Sequence, residues 1–188
     1  MRLNIIHLPH RTDRLITLRQ ELVLQNIDDF KIWDGIIDED CPYVGISKAH
    51  KQIVKQARDQ NLREVLIGED DMHFTSLGAF DFFLKNKPSD FDIYLAGIYS
   101  GEIKNDSTVD DFAALTLYVV SNRYYDIFLS LPENTHLDRA MRNTGRFIVC
   151  CPFVVTQHNG YSDNQRAYCN DDRLLLNRQL YKGNQNSR

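Results

Sequence analysis

Apolar and polar positions along the chain fall into short runs that switch between a period of two and a period near 3.6. Residues 3–8 are an apolar run closed by Pro9, which predicts an opening buried strand. Leu15, Leu18 and Leu22 follow at spacings of three and four, the stripe of an amphipathic helix. Thr12 stands where its cap is expected, and Asp13 in the first turn suits the helix dipole. Residues 27–37 partly alternate and predict a second strand with a turn. The acidic stretch 38–46, with Pro42 and Gly45, reads as loop. Ser47 is the expected cap of a second helix running to about Gln60, with Ala49, Ile53 and Ala57 on one face.

Residues 64–67 predict a buried strand that stops abruptly at Gly68-Glu69-Asp70-Asp71. Residues 77–85 read as helix, 92–97 as strand, and the polar, acidic stretch 99–111 as a mobile loop. Leu115 to Val120 is strand-like, and Asn122 to Leu131 is helical. The apolar run 147–155 is interrupted by Pro152, so an edge strand or a bend is expected there. Strands and helices thus alternate along the chain. That order predicts an α/β fold, a mixed and largely parallel sheet flanked by helices.

At 188 residues, the length favours one domain spanning 1–188, large enough to fold without disulfides or structural metal. Hydrophobic residues make up 43% and charged residues 26%, the balance of a globular chain rather than a disordered or fibrous one. A net charge of −4 argues against a nucleic-acid partner. The N-terminus has no signal-peptide run, and no segment approaches the roughly 20 apolar residues that span a bilayer. The expectation is a soluble cytoplasmic protein. The four cysteines, Cys41, Cys150, Cys151 and Cys169, contain no Cys-x-x-Cys pair and give no zinc motif. In 173–188, Arg173, Arg178, Lys182 and Arg188 face no acid, with leucines among them. This basic tail reads either as a terminal helix docked on the domain or as an amphipathic segment touching anionic lipid, a peripheral membrane contact.

The strongest candidate chemistry is Glu69-Asp70-Asp71 directly after an apolar strand. Adjacent carboxylates repel each other, and a divalent cation among them relieves that cost. Ligands of open α/β sheets bind beyond the carboxyl ends of strands, and hard oxygen donors suit Mg²⁺ or Mn²⁺ bridging to a phosphate. A solvated acidic turn is the bland alternative. His158, in Gln157-His158-Asn159-Gly160 after an apolar run, is placed to be a late metal ligand or simply a turn histidine. His50 falls in the first turn of the expected second helix, where the dipole disfavours its charged form. It could donate to a phosphate or an acid, or only pack. Arg11 and Arg14 open the first helix and could grip a pyrophosphate, or lie exposed. Asp138 sits where no structural need for an acid is evident, a candidate general base.

In their shared order these blocks resemble one family. Asn4-Ile5-Ile6-His7-Leu8-Pro9-His10-Arg11-Thr12-Asp13-Arg14 resembles its opening strand followed by Arg-x-Asp-Arg. Gly45-Ile46-Ser47-Lys48-Ala49-His50 is similar to its Gly…Ser-His helix start. Val65-Leu66-Ile67-Gly68-Glu69-Asp70-Asp71 resembles its apolar strand ending in Glu-Asp-Asp. Leu137-Asp138, Pro152-Phe153-Val154-Val155-Thr156-Gln157 and Ser162-Asp163 resemble its later blocks. The family is glycosyltransferase family 25, known for lipopolysaccharide and lipooligosaccharide galactosyltransferases and related to collagen galactosyltransferases. Ala49 departs from its usual Ser, and Gly68 from a larger apolar residue.

The resemblance implies a GT-A-like, Rossmann-like fold, a UDP-hexose donor, Mn²⁺ (or Mg²⁺) and inversion at the anomeric carbon. It implies Asp70, Asp71 and His158 as metal ligands. Arg11, Arg14, His50, Glu69 and Asp70 would contact the nucleotide sugar, and Asp138 would serve as base or acceptor contact. The acceptor would be a surface glycan or lipid-linked glycan such as lipooligosaccharide, met at the inner face of the membrane. Ala49 and the short chain motivate a different class, a degenerate transferase-like domain that binds a nucleotide sugar or a partner without turnover. A nucleotidyltransferase or phosphodiesterase is a third reading of the same carboxylates.

Overall fold

The computed structural model describes residues 1–170 and 178–183. Strands β1 (Leu3–His7), β2 (Phe30–Asp34) and β3 (Glu64–Glu69) alternate with helices α1 (Thr12–Leu24) and α2 (Pro42–Asp59). Then come β4 (Met72–Phe74), α3 (Ala79–Lys85), β5 (Ile93–Leu95), β6 (Thr108–Val109) and β7 (Leu117–Ser121). The chain continues through α4 (Tyr125–Ser130), α5 (Leu137–Ala140), β8 (Phe147–Val149), β9 (Val155–Gln157), β10 (Gly160–Ser162) and β11 (Ala167–Cys169).

Seven strands form the central sheet in the order β2-β1-β3-β7-β5-β8-β6. The pairs β1–β2, β1–β3 and β5–β8 are parallel, while β7 and β6 run against their neighbours. This is the mixed, largely parallel α/β sheet expected from the alternation. Its inner strands β3, β5 and β7 read as near-continuous apolar runs because both faces are covered, whereas the edge strand β2 is mostly exposed. On β3, Val65 and Ile67 join the core that includes Ile53, Val54 and Ala57 of α2 and Phe128 of α4. Leu66 points the other way, into the core with Leu18 and Leu22 of α1 and Phe83 of α3. Tyr118 and Val120 of β7 share the first core, Leu117 and Val119 the second.

Several boundaries differ from the sequence reading, each for a local reason. Helix α2 begins at Pro42, not Ser47. A proline's fixed φ suits a first helical position, and Asp38 Oδ1 accepts the Cys41 N–H at 3.0 Å just ahead of it. Gly45 makes this possible: a Cβ there would lie 2.1 Å from the Ile36 carbonyl oxygen, so the first turn of α2 runs hard against the loop after β2. Ser47 is consequently buried inside the helix. Thr12 opens α1 instead of capping it. The stretch 99–111 contains β6, buried at the sheet edge. The apolar run 147–155 splits at Pro152 into β8, an interior strand, and β9, which pairs antiparallel with β4 outside the main sheet. Strands β10 and β11 form a small hairpin.

The terminal reading of 173–188 falls mostly outside the described residues. Within it, Arg178 donates to the Gly101 carbonyl at 2.8 Å, and Tyr181 is buried with its ring 4.4 Å from that of Phe82. Among the described residues, no helix is long and apolar enough to cross a membrane.

Candidate active site

Strand β3 carries its apolar run to Glu69, and the chain then turns through Asp70 and Asp71 into β4. Three carboxylates therefore stand at the C-terminal end of a central strand, over a cleft of about 870 Å³. The register β1–β3 pairs Ile6 with Glu69, which brings His7 at the end of β1 beside the turn. His7 Nδ1 lies 2.8 Å from Asp70 Oδ2, both side chains buried. Arg14, in the first turn of α1, reaches the same turn with one nitrogen. Its Nη1 donates to Asp70 Oδ1 at 2.8 Å and to Asp71 Oδ2 at 2.9 Å. Its Nη2 donates to the Tyr161 carbonyl at 3.0 Å.

One oxygen is left over. Asp71 Oδ1 is buried and, among the described residues, accepts no hydrogen bond. Burial pushes the Asp71 carboxyl up to about 7; the negative charge of Glu69 adds to this and Arg14 opposes it. A carboxylate oxygen with no donor, facing further carboxylates, is a place where a hard divalent cation fits.

Glu69 is held from two sides. Its Oε2 accepts a hydrogen bond from Gln157 Nε2 at 3.2 Å, and its Oε1 lies 3.2 Å from His50 Nε2. The other ring nitrogen of His50, Nδ1, lies 2.6 Å from the Tyr118 hydroxyl. Burial, with Glu69 nearby, pushes the Tyr118 phenol well above its ordinary value, so it stays protonated. The Glu69 carboxylate can only accept, so Nε2–H donates to it, and in that tautomer Nδ1 accepts from the Tyr118 hydroxyl. With α2 starting at Pro42, His50 lies in the third turn, not the first. The helix dipole therefore does not set its charge, because that influence fades beyond the first turn.

The remaining sequence candidates are distributed around this turn. Asp138, on α5, lines the cleft; its Oδ1 accepts the Arg139 N–H at 2.8 Å and its Oδ2 the Ala114 N–H at 3.1 Å. Arg14 lines the cleft with both reachable acids engaged. Arg11 donates instead to Asp13, to Asp163 and to the Tyr161 carbonyl, so it clips the β10 segment to the start of α1. His158 donates its backbone N–H to the Asp71 carbonyl at 2.8 Å. Its imidazole faces elsewhere: Nε2 lies 3.2 Å from Glu21 Oε1, on α1.

Four contributors were not singled out in the sequence: His7, Tyr118, Gln157 and Glu21. His7 and Gln157 lay inside the motif blocks but carried no spacing that set them apart. Glu21 did leave a signal, an acid three residues after Leu18 and next to Leu22, on the apolar stripe of α1. It is buried there with them.

No family model and no curated protein sequence matches the chain. Solved structures share its fold. A substituted form of Drosophila β-1,4-galactosyltransferase 7, in complex with manganese, UDP-Gal and xylobiose, superposes with a TM-score of 0.53. That match covers 96% of this chain and 81% of the other at 10% identity. A glycosyltransferase involved in glycosylation of the major capsid of PBCV-1 gives 0.51, covering 93% and 98% at 12% identity. A197 from STIV gives 0.52, covering 88% and 91% at 8% identity. At such identities the likeness carries the fold, and the fold is that of the GT-A type.

Proposed function

We propose that this chain is a metal-dependent inverting glycosyltransferase that moves a hexose from a UDP-sugar to a surface-glycan acceptor. The observation that carries the proposal is Asp71 Oδ1, a buried carboxylate oxygen without a donor among the described residues, just past β3 and over a cleft in a GT-A fold. The presence of manganese and UDP-Gal in the galactosyltransferase 7 complex supports this donor class. The ordered blocks of family 25 support galactose as the sugar and a lipooligosaccharide-type acceptor, met by a cytoplasmic enzyme at the inner membrane face.

Asp71 and Glu69 would hold the cation, Mn²⁺ or Mg²⁺, with Asp70 oriented behind them by His7 and Arg14. When bound, such an ion offsets the charge that develops on the departing nucleotide diphosphate. His50 and Gln157 keep the Glu69 carboxylate aimed at the cleft. Arg14 holds the turn together and lends positive charge where phosphate would lie. Asp138, its carboxylate steadied by two backbone N–H groups, would take the proton from the attacking acceptor hydroxyl. Arg11 acts at one remove, by tying Tyr161 and Asp163 over the edge of the cleft.

Thermal unfolding of the full chain with a panel of UDP-sugars, in Mn²⁺ and then in EDTA, tests the donor site. A ligand at about 100 times its Kd adds roughly 2.7 kcal/mol, a rise of about 5–10 °C for a domain of this size. A rise with one UDP-sugar that vanishes in EDTA is expected; no rise with any of them sinks the proposal. Asp138→Asn separates binding from chemistry. It should keep the donor-dependent rise and lose transfer by about 10²–10⁴-fold; full transfer in that variant would remove Asp138 from its role as base.

Arg14 favours a second reading. A guanidinium already bridges Asp70 and Asp71, so a domain that binds a nucleotide sugar or a partner without turnover would carry its own cation at the turn. Donor binding indifferent to EDTA, with no transfer to any glycan acceptor, would support that reading over the enzyme.

A further inference from the structure

On the α1 side of the acidic turn lies a second cluster that the proposed transfer reaction does not use. Glu21 is buried on the inner face of α1. Its Oε2 accepts the Phe74 N–H at 3.2 Å, which fixes the carboxylate plane. Its Oε1 meets two imidazoles, one from the middle of β4 and one from just after β9: His73 Nδ1 at 2.6 Å and His158 Nε2 at 3.2 Å. The two rings stand 4.4 Å apart at 45°. Burial raises the Glu21 carboxyl, but the nearby His158 and His73 imidazoles and the Phe74 N–H outweigh it and bring it down to about 2, so the ligand form is the resident one. Among the described residues, this is the one set of three His, Cys, Asp or Glu side chains whose donor atoms all lie within 4.8 Å of one another.

We propose that Glu21, His73 and His158 form a binding site for a divalent ion of the zinc class, separate from the carboxylate turn that faces the cleft. Two imidazole nitrogens and one carboxylate oxygen suit Zn²⁺ far better than Mn²⁺ or Mg²⁺. A tetrahedral ion with bonds of about 2.0–2.1 Å separates its donors by about 3.4 Å. The Glu21–His158 pair already stands near that at 3.2 Å, and the Glu21–His73 pair would open from 2.6 Å. Solvent can supply a fourth ligand, because the His73 side chain is 49% exposed and that of His158 33%.

The ligands come from α1, from β4 and from the residue after β9, so an ion there would join three elements. One of them bears directly on the cleft. The segment that carries His158 also carries Gln157, which holds Glu69, and the His158 N–H that holds the Asp71 carbonyl. The ion would act as a clip behind the acidic turn and would not touch the donor.

The test uses the full chain stripped with EDTA and dialysed, then titrated with Zn²⁺ against a competing chromophoric chelator. Wild type should take up one equivalent tightly. With Co²⁺ in place of Zn²⁺ it should show the visible d–d bands of a low-coordinate nitrogen and oxygen site. His73→Ala removes a half-exposed ligand and should fold normally. It should weaken Zn²⁺ at least tenfold and abolish the Co²⁺ bands, as should Glu21→Gln. Asp71→Asn should leave the equivalent in place. Three results would overturn the proposal: no Zn²⁺ uptake by wild type at about 100 μM, full uptake by His73→Ala, which would put the ion elsewhere in the chain, or loss of the ion in Asp71→Asn alone.

Discussion

The two carboxylate clusters on either side of the β3–β4 turn use similar residues to opposite ends. At Glu69-Asp70-Asp71 the acids outnumber the nearby cations, and among the described residues one oxygen of Asp71 is left with no donor. Its carboxyl is driven up to about 7 by burial and by Glu69. Around Glu21 a single acid meets two imidazoles and a backbone N–H, and its carboxyl falls to about 2. The first cluster is electrostatically unfinished and rich in oxygen, the second balanced and rich in nitrogen. The lesson is that burial alone decides neither behaviour, since both carboxylates are shielded from water; the ratio of donors to acids does. That ratio also sorts the ions each would take, hard Mn²⁺ or Mg²⁺ at the first and Zn²⁺ at the second.

The change that should break the comparison most completely is Asp71→Asn. It removes the orphaned charge, so the Mn²⁺-dependent rise of about 5–10 °C with a UDP-sugar should vanish, and transfer with it. In EDTA the same variant should be no less stable than wild type above pH 7. The sign follows from the direction of the shift. A carboxyl whose folded pKa lies at about 7, above an ordinary value of 3.8, contributes stability that is complete below the lower value and lost as pH rises through the upper one. Wild type in EDTA should therefore lose melting temperature between pH 5 and pH 8 by more than Asp71→Asn does. Equal slopes for the two proteins would show that Asp71 does not carry the strain assigned to it.

Next in size is Arg14→Gln. Arg14 supplies positive charge to both Asp70 and Asp71 from a largely buried position. Breaking such a pair by removing one partner costs about 3–5 kcal/mol, moderated here by partial exposure. A fall in melting temperature of several degrees is expected in EDTA, and Mn²⁺ should restore part of it by taking the vacated place between the acids. If Mn²⁺ restores nothing, the turn does not bind the ion, and the reading without turnover gains.

Much of the sheet and of the first helix was legible in the sequence, because β3 and β7 are buried on both faces and α1 presents a single apolar stripe. The positions of β1, β3, α1 and β7 follow from that pattern, as does the placing of Glu69-Asp70-Asp71 at a strand end. What was not legible depends on contacts between distant segments. The start of α2 turns on Gly45 meeting the Ile36 carbonyl, which no local pattern announces. Strands β4 and β9 are three residues each and form only by pairing with one another. That pairing also decides where the imidazole of His158 goes: a histidine after an apolar run looks available to the acidic turn, but the β4–β9 register sets it beside His73 and over Glu21. Gly68, read as a departure from a larger residue, leaves the space that Met72 fills, since a Cβ there would lie 3.2 Å from its sulfur.

The smallest expected effect belongs to Tyr118→Phe, and it sharpens the assignment of charge at Glu69. The Tyr118 hydroxyl is the partner of His50 Nδ1 at 2.6 Å, and both groups are buried. Phenylalanine fits the same space and leaves Nδ1 without a donor. The direct cost is that of one unsatisfied buried acceptor, about 1–3 kcal/mol, or a fall of about 2–10 °C in melting temperature. The ring could recover by moving its proton to Nδ1, but Nε2 would then face the Glu69 carboxylate as an acceptor against an acceptor. Glu69 would keep Gln157 alone, and its aim at the cleft would loosen. Donor binding should weaken by a few-fold while the transfer rate at saturating donor stays close to wild type, because Tyr118 acts only through His50. A drop in the saturated rate with donor binding unchanged would contradict this chain of contacts and place His50 nearer the reacting atoms than the Glu69 carboxylate it orients.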